Sequence, residues 1–85
     1  MWKLVLKDNV NMGMLERYGF KLNNRYYYKL TDKNVEIIIN IENREVFVHY
    51  DDSDVVSNLN LVGIANLNSE ITNKLLENKI FEIAE

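Results

Sequence analysis

The one histidine of the chain, His49, is where acid–base chemistry would have to start. Pairing Val35 to Ile41 with Arg44 to Tyr50 through a tight turn at Glu42-Asn43 sets His49 opposite Glu36. A carboxylate beside an imidazole can orient a general base. No serine, threonine or second histidine stands at a spacing that would complete a catalytic or metal-binding set, so the pair reads as a cross-strand ion pair on a solvated face. Asp51, Asp52 and Asp54 bring three carboxylates into four residues, the oxygen-rich composition of a divalent-cation loop. The glycine and distal glutamate of a calcium loop are missing, and a charged, solvated turn is the expected outcome. The same three acids could still face a basic partner, as mimics of nucleic-acid phosphates. Three isolated glycines form no phosphate-binding loop. The chain is therefore expected not to be an enzyme and to hold neither metal nor cofactor.

A different kind of chemistry is offered by the run Tyr26-Tyr27-Tyr28. A two-residue turn at Asn23-Asn24, residues that tolerate positive φ, would pair Phe20 to Leu22 with Arg25 to Leu30. A four-residue turn, Thr31 to Asn34, would then pair Leu30 with Val35 and Tyr28 with Ile37. In that register Tyr26, Tyr28, Leu30, Val35, Ile37, Ile39, Ile41, Val46, Val48 and Tyr50 share the buried face. The opposite face carries a row of Phe20, Tyr27, Ile38 and Phe47, rimmed by Arg25, Lys29, Glu36 and Glu45. An open apolar stripe with a charged rim suits a protein partner. Tyr27 and Phe47 could alternatively stack single-stranded bases, with Arg25 and Lys29 near phosphates. The structural alternative is that the first helix or Trp2 covers the row and makes it a second core layer.

These residues need elements to position them. Trp2 to Lys7 alternates as a first strand. Asp8 or Asn9 can cap a short helix whose apolar positions are Val10, Met14, Leu15 and Tyr18. Gly19 then takes the left-handed position of a Schellman ending, with Phe20 against Leu15. After the meander, Val55, Leu59 and Val62 have helical spacing, and Ser69 to Glu77 forms a helix burying Ile71, Leu75 and Leu76. Asn78 is the natural left-handed residue to end it. Ile80 to Ile83 closes as a strand, the alternative being a helix running on to Ala84. The expected fold is α+β: one domain, residues 1–85, with an antiparallel three- to four-stranded meander and two or three short helices packed on one face.

Composition narrows the partners. Of 85 residues 47% are hydrophobic and 27% charged, which supports one core but not two. Net stability of about 4–13 kcal/mol is expected for this length. The net charge of −3 works against general nucleic-acid binding, which gains its affinity from basic surface. No apolar run approaches the roughly 18 residues of a membrane span, and the charges in MWKLVLKDN come too early for a signal peptide. Without cysteine there is no disulfide framework. A cytoplasmic location is expected.

The stretches LERYGFK (Leu15 to Lys21) and NKLLENKIFEIAE (Asn73 to Glu85) resemble the two ends of small accessory proteins encoded by phages and prophages of low-GC Gram-positive bacteria. The resemblance covers about a third of the chain. It carries no catalytic residues. It implies a class, short acidic proteins that bind and block a host protein, as inhibitors of CRISPR nucleases do. The partner it implies is a host or phage protein.

Overall fold

A computed structural model describes residues 3–50 and 56–84. The elements in chain order are β1 (Lys3–Leu6), a 3-10 helix (Met12–Tyr18), β2 (Lys21–Asn23), β3 (Tyr26–Leu30), β4 (Val35–Asn40), β5 (Val46–Tyr50), β6 (Val56–Asn58), α1 (Leu61–Leu67), α2 (Glu70–Glu77) and β7 (Phe81–Ala84). The fold is α+β. Strands β2 to β6 form a five-stranded antiparallel meander in sequence order, one strand wider than expected, and β1 pairs with β7 in a separate two-stranded ribbon. The ribbon is tied to the meander by the Val5–Glu45 bridge and by backbone bonds from Leu4 N–H to Leu59 C=O (3.1 Å) and Leu6 N–H to Arg44 C=O (2.8 Å).

One core lies between the inner face of the meander and the ribbon and helices. Val35, Ile37, Ile39, Val46 and Val48 supply the sheet side, as their alternation predicts. Leu4, Leu6, Leu15, Ile64, Ile71, Leu75 and Phe81 supply the other. Ile41 and Tyr50, expected in this layer, are 36% and 46% exposed, because they lie at the ends of the strands beyond the covering elements.

The register of β3 differs from the expected one, and this changes the functional face. Tyr27 pairs with Ile39, Tyr28 with Ile38 and Leu30 with Glu36. Tyr27 is therefore buried (7% exposed), while Tyr26 and Tyr28 are half-buried on the outer face and Leu30 is 60% exposed. The cause is the turn. Thr31 N–H donates to Val35 C=O, so the loop is the three residues Asp32, Lys33 and Asn34, not four. Asn34 takes the left-handed conformation (φ 58), and the buried Thr31 hydroxyl accepts from the N–H groups of Lys33 (3.1 Å) and Val35 (3.3 Å). An odd loop length reverses the face of the whole preceding strand. The β2–β3 turn slides to match: Asn23 pairs with Tyr26 around Asn24-Arg25, with Asn24 left-handed (φ 53). The β4–β5 register is as expected, Ile39 opposite Val46 and Glu36 opposite His49, although Arg44 rather than the Glu42-Asn43 pair takes the left-handed position (φ 62).

The short helix begins later than expected, with Asn11 capping the N–H of Gly13 (2.9 Å) in place of Asp8 or Asn9. It ends as the sequence predicts. Gly19 is left-handed (φ 91), its N–H reaching Glu16 C=O (3.0 Å) while Phe20 N–H reaches Leu15 C=O (3.1 Å). Leu15 and Phe20 are both buried. Of the segment assigned to a helix through Val55, Leu59 and Val62, Val55 lies outside the described residues and the rest is β6 followed by α1, capped by Asn60, whose side chain accepts from Gly63 N–H (2.7 Å). Helix α2 buries Thr72 in place of Leu76, because Ser69 caps the helix and its hydroxyl lies 2.7 Å from that of Thr72.

The end of α2 repeats the Schellman geometry with an unexpected residue. Lys79, not Asn78, is left-handed (φ 55). Its N–H donates to Leu76 C=O (3.0 Å) and Ile80 N–H to Leu75 C=O (3.1 Å), with Leu75 and Ile80 buried. A side chain with a Cβ is strained in this region by about 1–2 kcal/mol. Lys79→Gly is therefore expected to raise stability by about 0.5–1 kcal/mol after glycine's greater unfolded-state entropy is counted. Chemical denaturation reads this as a higher midpoint at unchanged slope.

Candidate functional site

The outer face of the meander is built by three cross-strand rows. The central row is Lys21, Tyr28, Ile38, Phe47 and Asn58. One flank is Asn23, Tyr26 and Asn40, and the other is Leu30, Glu36, His49 and Val56. Every residue of these rows retains solvent exposure, in contrast to the closed inner face. The helices contribute their buried residues to the single inner cluster, and this face is left uncovered by them. Tyr26 and Tyr28, two residues apart on one strand, pack edge to face with ring centroids 6.5 Å apart at 67°. Beside them lies a shallow recess lined by Asn24, Arg25, Tyr26 and Asn40.

The structure brings together only part of the expected set. Ile38 and Phe47 are neighbours on the open face, and Arg25 is exposed in the β2–β3 turn at its edge. Phe20 and Tyr27 are core residues, 3% and 7% exposed, so neither can meet a partner. Lys29 shares the inner face with Tyr27 by strand alternation, half-buried at its margin. Asp51, Asp52, Asp54 and Trp2 lie outside the described residues. Tyr26 and Tyr28 are the aromatic residues that the expected register hid. The signal for them was Asn34, an asparagine where a three-residue hairpin loop needs its left-handed residue.

The charges around the face are mostly paired. Lys3 Nζ contacts Glu45 Oε1, and Asn58 Nδ2 donates to Glu45 Oε2 (3.5 Å). The Lys3 hydrogen bond chiefly holds the Glu45 carboxyl below its ordinary range, aided by the ammonium charge and Asn58, against a smaller opposing effect of burial. His49 Nδ1 lies 3.7 Å from Glu36 Oε1, with both side chains about one-third exposed, a solvated cross-strand contact that forms an ion pair when the imidazole is protonated. Among the described residues, no group of three or more histidines or acids is placed to hold a metal ion, and no helix is long and apolar enough to cross a membrane. Comparison with protein-family models, curated proteins and solved structures gave no match.

Proposed function

We propose that this protein is a non-catalytic binding module that engages another protein through the Tyr26–Tyr28–Ile38–Phe47 face. The observation that carries this reading is an aromatic and aliphatic centre, left open on the outer side of a rigid sheet and bordered by paired charges. Interface energy concentrates in such central aromatics, while a polar rim excludes water and sets orientation. The resemblance to phage accessory proteins makes a host protein the partner class, and inhibition by direct contact the mode of action.

Single-stranded nucleic acid is the second reading, and one observation favours it. Three aromatic rings, Tyr26, Tyr28 and Phe47, share the open face, with exposed Lys21 and Arg25 at its β2 edge. Such rings are a stacking platform for bases. Only these two cations remain unpaired there among the described residues, and the chain is acidic overall, so counterion release would be small.

The deciding experiment compares the parent with Tyr28→Ala/Phe47→Ala. Both side chains are half-buried on the open face, so the variant is expected to fold. Each truncation is expected to cost about 2 kcal/mol or more of binding energy. A partner captured from host lysate by the parent should be lost by the variant, and calorimetric titration should show affinity nearly independent of salt. Equal retention by both proteins would remove this face from the interface. An affinity falling steeply with salt would select the nucleic-acid reading.

A further inference from the structure

The molecule has a second feature, which meets the open sheet face at Leu30. A cavity of about 300 Å³ lies where the 3-10 helix ends, between the β3–β4 turn and the start of α2. Three cations line it, each from a different element: Arg17 from the 3-10 helix, Lys29 from β3 and Lys74 from α2. The Lys29 ammonium lies beside Gly19. A Cβ at Gly19 would stand 2.8 Å from its Nζ, so the missing side chain at the end of the 3-10 helix leaves the lysine its room. Among the described residues the ion pairs within 4 Å are Lys3–Glu45 and His49–Glu36, which leaves all three cavity cations without a carboxylate partner.

Two acids also face the cavity, Asp32 and Glu70. Asp32 Oδ1 accepts the Glu70 N–H at 3.2 Å, and both carboxylates keep their charge, so the lining carries three cations against two acids. Acids outnumber cations 13 to 10 in the chain, so a lining with three cations to two acids runs against its charge balance. The one-charge excess of cations over acids in the lining favours an anion there. Part of the wall is apolar. Tyr18 and the 60% exposed Leu30 also line the cavity. The volume is that of a small-molecule site, lined by polar groups beside an apolar surface.

We propose that this cavity binds a small organic phosphate. The dianionic phosphoryl group is held by Arg17, Lys29 and Lys74, and an apolar or aromatic body lies against Tyr18 and Leu30. Arginine offers its planar donor fork and the two lysines offer point charges, the usual division of labour around phosphate oxygens.

Phenyl phosphate is the probe, with inorganic phosphate as the headgroup alone and sodium chloride at equal ionic strength as the control. The amide resonances of residues 17–19, 29–32 and 70–74 are expected to shift with phenyl phosphate and more weakly with inorganic phosphate. Lys29→Met keeps the length and the methylenes but removes the charge. It is expected to weaken phenyl phosphate binding about ten- to hundredfold, the loss of one charge-assisted hydrogen bond. Lys74→Gln, on an exposed position of α2, gives the same binding test should Lys29→Met fail to fold. Shifts no larger than those with chloride, or unchanged affinity in the foldable lysine variants, would overturn the site. Equal affinities for phosphate and phenyl phosphate would overturn the apolar contact.

Discussion

Tyr27→Ala is expected to cost about 3–5 kcal/mol, the range for truncating a large buried aromatic side chain. Tyr28→Ala, one residue on, should cost only about 1 kcal/mol, the scale of a cross-strand contact on an open face. The contrast follows from β3 alone. Tyr27 is 7% exposed between Leu22 and Ile39 on the inner face, whereas Tyr28 lies between Lys21 and Ile38 on the outer one. At about 4–8 °C per kcal/mol for a domain of this size, Tyr27→Ala should lower the melting temperature by more than about 12 °C and Tyr28→Ala by less than about 8 °C. Thermal melts of the two variants beside the parent make the test. Equal shifts, or the larger shift in Tyr28→Ala, would show that β3 presents its other face to the core.

That strand also shows why part of the fold was legible in the sequence and part was not. In β4 and β5 the alternation Val35-Ile37-Ile39 and Val46-Val48 admits one inner face, and the structure uses it. In β3 three identical tyrosines carry no period-two signal, and the residues after them point the wrong way. The observed register turns Lys29 and Thr31 inward and exposes Leu30, where hydrophobicity alone prefers the reverse. The decision is made by the loop, through the Thr31 hydroxyl and left-handed Asn34. Here the reversal places Lys29 at the charged cavity and two tyrosines on the open face. The helix ends make the same point on a smaller scale. Leu15-Gly19-Phe20 was readable because glycine favours positive φ, and Leu75-Lys79-Ile80 was not because lysine does not. The helical spacing through Leu59 and Val62 misleads, since Leu59 follows the strand β6 into the core while Val62, in α1, is 68% exposed.

Removing residues 81–85 is expected to abolish cooperative folding, although Phe81 to Ala84 form the ribbon strand β7 and not the open face. The meander is made of sequence-adjacent hairpins, whose pairing is local and cheap in loop-closure entropy. The opposite side of its core is not local. Leu4 and Leu6, 1% and 0% exposed, are fixed by β1, and the full ladder of β1 is with β7: Lys3 with Ala84, Leu4 with Ile83, Val5 with Glu82 and Leu6 with Phe81. Without β7, β1 retains two backbone bonds and one bridge to the meander, and the 8% exposed Phe81 leaves the core. Loss of Phe81 alone should cost about 3–5 kcal/mol, and the lost ladder adds to it. That sum is comparable with the whole expected stability of about 4–13 kcal/mol. The truncated chain should melt without a sigmoidal transition and bind a hydrophobic dye. A cooperative melt within about 5 °C of the parent would show that the meander and helices form a sufficient core by themselves, by the same conversion of energy to temperature. The two ways of losing a partner are then separable: truncation destroys binding by unfolding, whereas Tyr28→Ala/Phe47→Ala removes binding from a chain that still melts cooperatively.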